Sequence, residues 1–235
     1  MRYSILIPAY NEERYIADTL ASIHNACQEG GIDDYEVIVA DDHSTDQTAA
    51  LAQQNGARVV ESGKRNIAAS RNAAARAAQG EFFIFIDADT RIHAALLQGV
   101  QEALANPTVM GGGAVVAWSG PATPWSNFCR KVWNLISRTA KLPAGSFFFL
   151  RREGFENTGG FDERYFITEE LDFGKRLQKE GKLVILTQPV YTSPRKVHQF
   201  SPRELLQFAW AFVSSPQKTV TDRSRLDIWY ERREG

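Results

Sequence analysis

Two acids separated by one small residue, Asp87-Ala88-Asp89, end the apolar run Phe82-Phe83-Ile84-Phe85-Ile86. Five apolar residues in a row read as a strand buried on both faces. Such a strand ends in a loop at the edge of its sheet. Two carboxylates there, with Ala88 leaving space between them, suit a hard divalent cation, which takes oxygen ligands. A capped helix start beside a solvated acid is the plainer alternative, because helical spacing begins near His93. Among the other acidic pairs, two bear on the chemistry, Asp41-Asp42 and Glu169-Glu170. The second opens a helical pattern, and a helix N-terminus favours an ionised carboxylate. That suits a general base working at neutral pH. The plainer alternative is a pair of favourable first-turn charges.

The elements that must position these acids alternate in kind. Tyr3–Ile7 is a short strand closed by Pro8. Asn11-Glu12-Glu13 opens a helix carrying Ile16, Leu20 and Ile23 at helical spacing, ended by Gly30-Gly31. Tyr35–Ala40 is the second strand. Ser44-Thr45-Asp46-Gln47 has the capping-box pattern, so a helix follows to Gln54. Arg58–Glu61 is a strand, Asn66–Gln79 an Ala-rich helix, and the Phe82–Ile86 strand comes next. Strand–helix alternation at this spacing predicts a parallel sheet with helices on both faces. The loops Pro8–Glu13, Asp41–Ser44 and Asp87–Thr90 each follow a strand directly. In a parallel sheet all three emerge at one edge, where open α/β sheets bind ligands.

After Pro107 the character changes. Val109–Trp118 is a strand in which Gly111-Gly112-Gly113 permits a close approach. Trp125–Lys141 is a helix with a basic stripe of Arg130, Lys131, Arg138 and Lys141. Gly145–Leu150 is an aromatic strand, and Thr168 caps a helix over Glu169–Glu180. Leu183–Leu186 is a further strand and Pro202–Val213 an amphipathic segment. The division expected is one domain over 1–235, with a donor-binding part at 1–106, an acceptor and base part at 107–213, and a polar tail at 214–235.

Bulk properties narrow the class. A length of 235 residues, 43% hydrophobic, allows a full α/β core. A net charge of −1 gives no global field towards nucleic acid. Cys27 and Cys129 form no metal or redox spacing, as expected of free thiols in a reducing cytoplasm. The sequence has no run of about 20 apolar residues, the length that spans a bilayer, so no transmembrane helix is expected. No Gly-x-Gly-x-x-Gly follows the first strand, and no Walker A pattern occurs, which argues against a dinucleotide enzyme and a P-loop kinase. Asp-Ala-Asp-Thr resembles the haloacid-dehalogenase phosphatases only superficially, since their Thr falls one position later.

The combination of loops resembles the family 2 glycosyltransferases, nucleotide-sugar enzymes of the GT-A fold. The matching stretches are Pro8-Ala9-Tyr10-Asn11-Glu12-Glu13, Asp41–Asp46, Arg71-Asn72, Asp87-Ala88-Asp89, Gly159–Glu163 and Glu169–Asp172, in family order over the first 180 residues. The resemblance implies a Rossmann-like, mostly parallel sheet with a smaller acceptor-side subregion. Pro8, Ala9, Tyr10 and Glu12 would line the base and ribose of a UDP- or GDP-sugar. Asp42, with Asp41, would accept from a base N–H, and Arg71 would contact the diphosphate. Asp89 would hold Mn²⁺ or Mg²⁺, with Ala88 and Asp87 beside it. His198 is a candidate third ligand, with a surface or core histidine as its plainer reading. Glu170 stands where the family has its base, Glu169 is the alternative, and Asp172 is a nearby supporting acid. The implied reaction is metal-assisted transfer of one sugar with inversion. Gln199-Phe200-Ser201-Pro202 does not match the processive Gln-x-x-Arg-Trp pattern. Two alternatives share the sheet: a sugar-phosphate nucleotidyltransferase, and a non-catalytic nucleotide-sugar-binding protein. Trp118, Trp125, Phe147, Phe148, Phe149 and Tyr165 are candidates to stack on a saccharide or lipid-linked acceptor, with core packing expected for most. The basic helix and Pro202–Val213 are candidates for peripheral membrane contact on the cytoplasmic side.

Overall fold

The structure is a computed structural model and describes residues 2–195. His198, Pro202–Val213 and the tail at 214–235 lie outside the described residues. In chain order the elements are β1 (Tyr3–Ala9), α1 (Ile16–Glu29), β2 (Tyr35–Asp41), α2 (Thr48–Gln54), β3 (Arg58–Glu61), α3 (Ile67–Ala77), β4 (Phe82–Ile86), β5 (Thr90–Arg91), α4 (Ala94–Ala105), β6 (Val109–Trp118), α5 (Pro124–Ala140), β7 (Phe147–Arg151), α6 (Arg152–Thr158), α7 (Glu169–Glu180) and β8 (Lys182–Thr192). They build one sheet in the order β3-β2-β1-β4-β7-β6-β8-β5. The first four strands in chain order are mutually parallel. β7 runs antiparallel to both β4 and β6, while β6 and β8 are parallel.

β4 shows why the sheet is covered on both sides. Its residues alternate between faces with the period of two that strands impose. Phe82, Ile84 and Ile86 join Ile16, Leu20, Ile23 and Leu96 from α1 and α4. Phe83 and Phe85 join Ala68, Ala74, Phe173 and Leu177 from α3 and α7. Each fully buried aromatic or aliphatic side chain contributes roughly 1.5–3 kcal/mol of transfer free energy. Phe147, Phe148 and Phe149 belong to these clusters, so they form core and do not face an acceptor. The three glycines of β6 let it lie between β7 and β8. A Cβ on Gly112 would stand 2.0 Å from the Val184 carbonyl oxygen.

Several local expectations are corrected. Pro8 does not close β1; it pairs with Ala40 inside the strand. The Ala9 carbonyl accepts from the Asp42 N–H at 2.9 Å, so alternation turns Pro8 towards β4, whose pairing with β1 has ended at Leu6. Its missing N–H therefore costs no ladder bond. α1 begins at Ile16 and not at Asn11, which has φ 51°. Ser44 does not cap α2, which begins at Thr48, because its hydroxyl accepts from the Asn11 N–H at 3.0 Å. Thr168 precedes α7 in the left-handed region and makes no side-chain cap bond. β8 runs on to Thr192, with an irregularity opposite Ala114–Val116 that accommodates Pro189. Arg130 leaves the basic stripe and donates to the Val116 carbonyl at 3.1 Å.

Candidate active site

The three strand-end loops do converge. One pocket is lined by Pro8 and Ala9 at the end of β1, Tyr10 and Glu12 after it, Asp42 after β2, and Asp87, Ala88 and Asp89 after β4. A fourth stretch, Arg65-Asn66-Ile67 with Ser70, completes the wall. The loops hold each other. The Asn11, Glu12 and Glu13 N–H groups donate to Ser44 Oγ, Thr48 Oγ1 and Asp46 Oδ2 at 3.0, 2.7 and 3.1 Å. The Asn11 side chain returns the contact by accepting from the Thr45 N–H at 2.9 Å. These bonds fix the loop, and Asn11 stands at φ 51°, outside the helical region, so no helix starts there.

Asp42 is the tie between the second loop and the fourth stretch. Its buried carboxylate accepts from the Lys64 and Arg65 N–H groups at 3.0 and 2.8 Å on Oδ1, and from Asn66 N–H at 2.9 Å on Oδ2. A carboxylate offers about four acceptor directions, so one remains on Oδ2 for a ligand. Asn66 then caps α3 by accepting from Ala69 N–H at 2.9 Å. The Arg65 guanidinium lies 3.9 Å over the Tyr10 ring, a stacked pair in the pocket wall. Asp41 stands outside that wall. One of its oxygens accepts from Ser44 N–H at 3.2 Å, while the other is buried with no partner among the described residues.

Arg71 sits behind Asp87, its side chain 3% exposed. It donates to Glu169 Oε1, to Asp87 Oδ1 at 3.2 Å and to the Gly145 carbonyl at 2.9 Å. Burial works against its charge, but Glu169, Asp87 and Glu170 together more than offset that and raise its pKa. Glu170 faces the same cluster: a Cβ on Gly145 would meet Arg71 Nη2 at 3.2 Å and Glu170 Cδ at 3.4 Å. Burial first, and the Glu169 carboxylate second, push the Glu170 carboxyl up to about 8 against the pull of Arg71. One cation thus joins Asp87, in the pocket wall, to the Glu169-Glu170 pair 82 and 83 residues later in the chain. Asp172 points elsewhere, to Arg176 at 2.8 Å. The Gly159-Gly160 turn serves this cluster: Gly160, at φ 77°, lets Asn72 hold the Phe161 N–H and carbonyl at 2.9 and 2.8 Å.

Asp89 has a different cation. Arg195, just past β8, donates Nε to Asp89 Oδ2 at 2.8 Å and Nη2 to Glu12 Oε2 at 2.6 Å. Its guanidinium lies 4.5 Å over Tyr15. Burial opposes its charge, but Asp89 and Glu12 outweigh that and raise its pKa. The residue types gave no sign of this bridge, since Arg195 stands in an ordinary Pro-Arg-Lys run. Among the described residues no three His, Cys, Asp or Glu side chains gather as a metal site. The oxygen set still fits a hard cation: Asp87 and Asp89 line one pocket, and a guanidinium already balances each. With two carboxylates the site is open, and a ligand's own oxygens must complete it. The candidate third ligand, His198, is outside the described residues.

The glycosyl transferase family 2 model matches residues 4–159. The poly(ribitol-phosphate) β-N-acetylglucosaminyltransferase of Staphylococcus aureus is 34% identical over 99 residues, 40% of this chain and 17% of that protein. The dolichol-phosphate mannosyltransferase of Pyrococcus furiosus is 27% identical over 172 residues, 66% of this chain and 48% of that protein. The chain therefore spans about half or less of the curated relatives it matches. Among solved structures, a mannosyltransferase from Pyrobaculum calidifontis in complex with GDP-Man and Mn²⁺ superposes with TM-score 0.68 at 22% identity, covering 97% of this chain and 69% of that one. The S. aureus enzyme, as its 1–349 fragment with UDP-GlcNAc, gives 0.66 at 22% identity, covering 82% and 58%. The fold is thus the GT-A fold that the loop pattern implied. With a family match over most of its length, and the acidic loops in their expected order on one sheet edge, the chain belongs to glycosyl transferase family 2.

Proposed function

We propose that the chain transfers one sugar from a UDP- or GDP-linked donor to an acceptor hydroxyl, with inversion at the sugar carbon. The observation that carries this reading is the Arg71 cluster, which sets a base candidate beside the acids of the nucleotide pocket. Pro8, Ala9 and Tyr10 take the base and ribose, and the spare Oδ2 direction of Asp42 accepts from a base N–H. Asp89 and Asp87 would hold Mn²⁺ or Mg²⁺. When bound, such an ion neutralises charge on the departing diphosphate. Arg195 must release Asp89 for that to happen. Glu170 takes the proton of the attacking hydroxyl at its carboxylate, and Glu169 holds Arg71 in place. The relatives named above lend support, one being crystallised with UDP-GlcNAc and another with GDP-Man and Mn²⁺. Their names, poly(ribitol-phosphate) in one and dolichol-phosphate in the other, make a saccharide-like polyol or a lipid-linked acceptor the expected partner.

The test is a pair of variants assayed for nucleoside diphosphate release and for donor binding. Asp89→Ala is expected to lose turnover and metal-dependent nucleotide binding; full activity would remove the metal assignment. Glu170→Gln is expected to bind donor but not transfer; the same phenotype in Glu169→Gln, with Glu170→Gln active, would reverse the two roles. Release of pyrophosphate from a nucleoside triphosphate would instead support a nucleotidyltransferase.

A further inference from the structure

One face of α5 is bare among the described residues. Trp125, Phe128, Val132, Leu135 and Ile136 are 40, 57, 40, 65 and 45% exposed. Their spacing places them in a single stripe along the helix. The opposite face is sealed onto β6. Ser126 and Ser137 are buried, and Asn134 accepts from the Val116 N–H at 2.9 Å and donates to its carbonyl at 3.0 Å. The stripe therefore points away from the sheet. Trp125 and Phe128 stack at its first turn, with centroids 5.8 Å apart.

Charge says what the stripe meets. Lys131 and Arg138, two turns apart, are exposed beside it, and Lys141 is exposed at its end. From Ala103 to Arg152 there is no Asp or Glu at all, although the whole chain has a net charge of −1. The positive charge is thus gathered around one apolar helix face. We propose that α5 docks on an anionic lipid bilayer, lying in the interfacial plane with its stripe in the headgroup–acyl boundary. An apolar face flanked by cations, with aromatic residues at one end, is the physical description of an interfacial helix. A partner protein with an apolar groove would match the stripe but not explain the missing acids.

The docking bears on the active site through chain continuity. α5 ends at Ala140, and Gly145 follows five residues later against Arg71 and Glu170. A bilayer beneath α5 brings its surface near the proton acceptor, so the acceptor hydroxyl would be carried on a lipid. Only this last step rests on the proposed transfer reaction.

The experiment is co-sedimentation of the full chain with phosphatidylglycerol vesicles and, separately, with phosphatidylcholine vesicles. Binding to phosphatidylglycerol that weakens with salt is expected, with a blue shift of tryptophan emission. Phe128→Ser with Leu135→Ser should weaken binding at least about tenfold, and Lys131→Glu with Arg138→Glu by about tenfold as well. Neither pair should lower the melting temperature, because all four side chains are exposed. Equal binding to both lipids, no binding, or binding untouched by either pair overturns the proposal. So does a loss of stability, or of a dimer, in Phe128→Ser with Leu135→Ser: the stripe would then be covered by residues 196–235 or by a second copy. A failed transferase assay with intact vesicle binding would refute the enzyme reading alone.

Discussion

On the proposed reaction, Glu169→Gln should move the pH profile of sugar transfer towards acid. The Glu170 carboxyl is pushed up to about 8, by burial first and by the Glu169 carboxylate second, with Arg71 pulling the other way. A base at that value is ionised in about one molecule in eleven at pH 7. kcat/KM for the wild type should therefore rise roughly tenfold between about pH 7 and 9 and then level off. Gln at position 169 still offers an oxygen to Arg71 Nη1 but carries no charge. Losing a close like charge lowers the neighbour by about one unit or more. About half of the Glu170 side chains would then be ionised at pH 7, a gain of about fivefold there. Arg71→Gln removes a cation that favours ionised Glu170, so its limb should move the opposite way. It also leaves buried carboxylates uncompensated, at a cost of about 3–5 kcal/mol, so both variants need a urea melt beside the assay. Nucleoside diphosphate release at low donor concentration gives the profile. A flat profile, or two variants that shift it in the same direction, would refute the reasoning. Stability follows the same proton. A carboxyl raised above its ordinary 4.5 favours the folded state in its neutral form. That contribution is complete below about 4.5 and is lost as pH rises through about 8, so Glu170→Gln should flatten the fall in melting temperature across that window.

Gly112→Ala should destabilise the fold by about 3 kcal/mol or more, read from a denaturant midpoint, because its Cβ meets a strand carbonyl at 2.0 Å. An unchanged midpoint would mean that β6 and β8 can separate freely. Asp42→Asn should cost about 2 kcal/mol or more and speed amide exchange at Lys64, Arg65 and Asn66, whose N–H groups its carboxylate gathers. Protection that stays at the wild-type level would count against that tie. Arg195→Ala should tighten Mn²⁺ binding in the absence of nucleotide, measured by calorimetry, because the guanidinium no longer balances Asp89 and Glu12. Weaker binding would show that Arg195 organises the acids and does not compete for them.

The elements legible in the sequence are those whose cause is local. β4 is an unbroken apolar run, and α7 starts and ends as its acids and Gly181 suggest. The meeting of three loops was legible too, because β1, β2 and β4 are parallel and parallel strands share their C-terminal edge. What misled was a local signal overridden from a distance. Ser44 has the residue pattern of an N-cap, yet Asn11, 33 residues earlier, takes its hydroxyl. Thr187-Gln188-Pro189 looks like a strand break, yet β6 absorbs the extra residues in one irregular turn of the ladder and β8 continues to Thr192. That continuation matters, since it delivers Arg195 to Asp89 across 106 residues and to Glu12 across 183.

Arg71 shows the same limit from the chemical side. On its Ala-rich helix it was a candidate diphosphate contact, and a surface arginine would have read identically. The packing places it out of the pocket wall, with its guanidinium shared among Glu169, Asp87 and the Gly145 carbonyl. Three acids, Asp87, Glu169 and Glu170, then face one buried cation. Among them the Glu170 carboxyl is raised, by burial first and by the Glu169 carboxylate second, and no hydrogen bond from Arg71 to it is seen among the described residues. A carboxyl raised in this way is set by its surroundings and not by its own chemistry. What lifts the proton affinity of Glu170 is burial first and the Glu169 charge second, against the pull of Arg71, and the fold supplies all three.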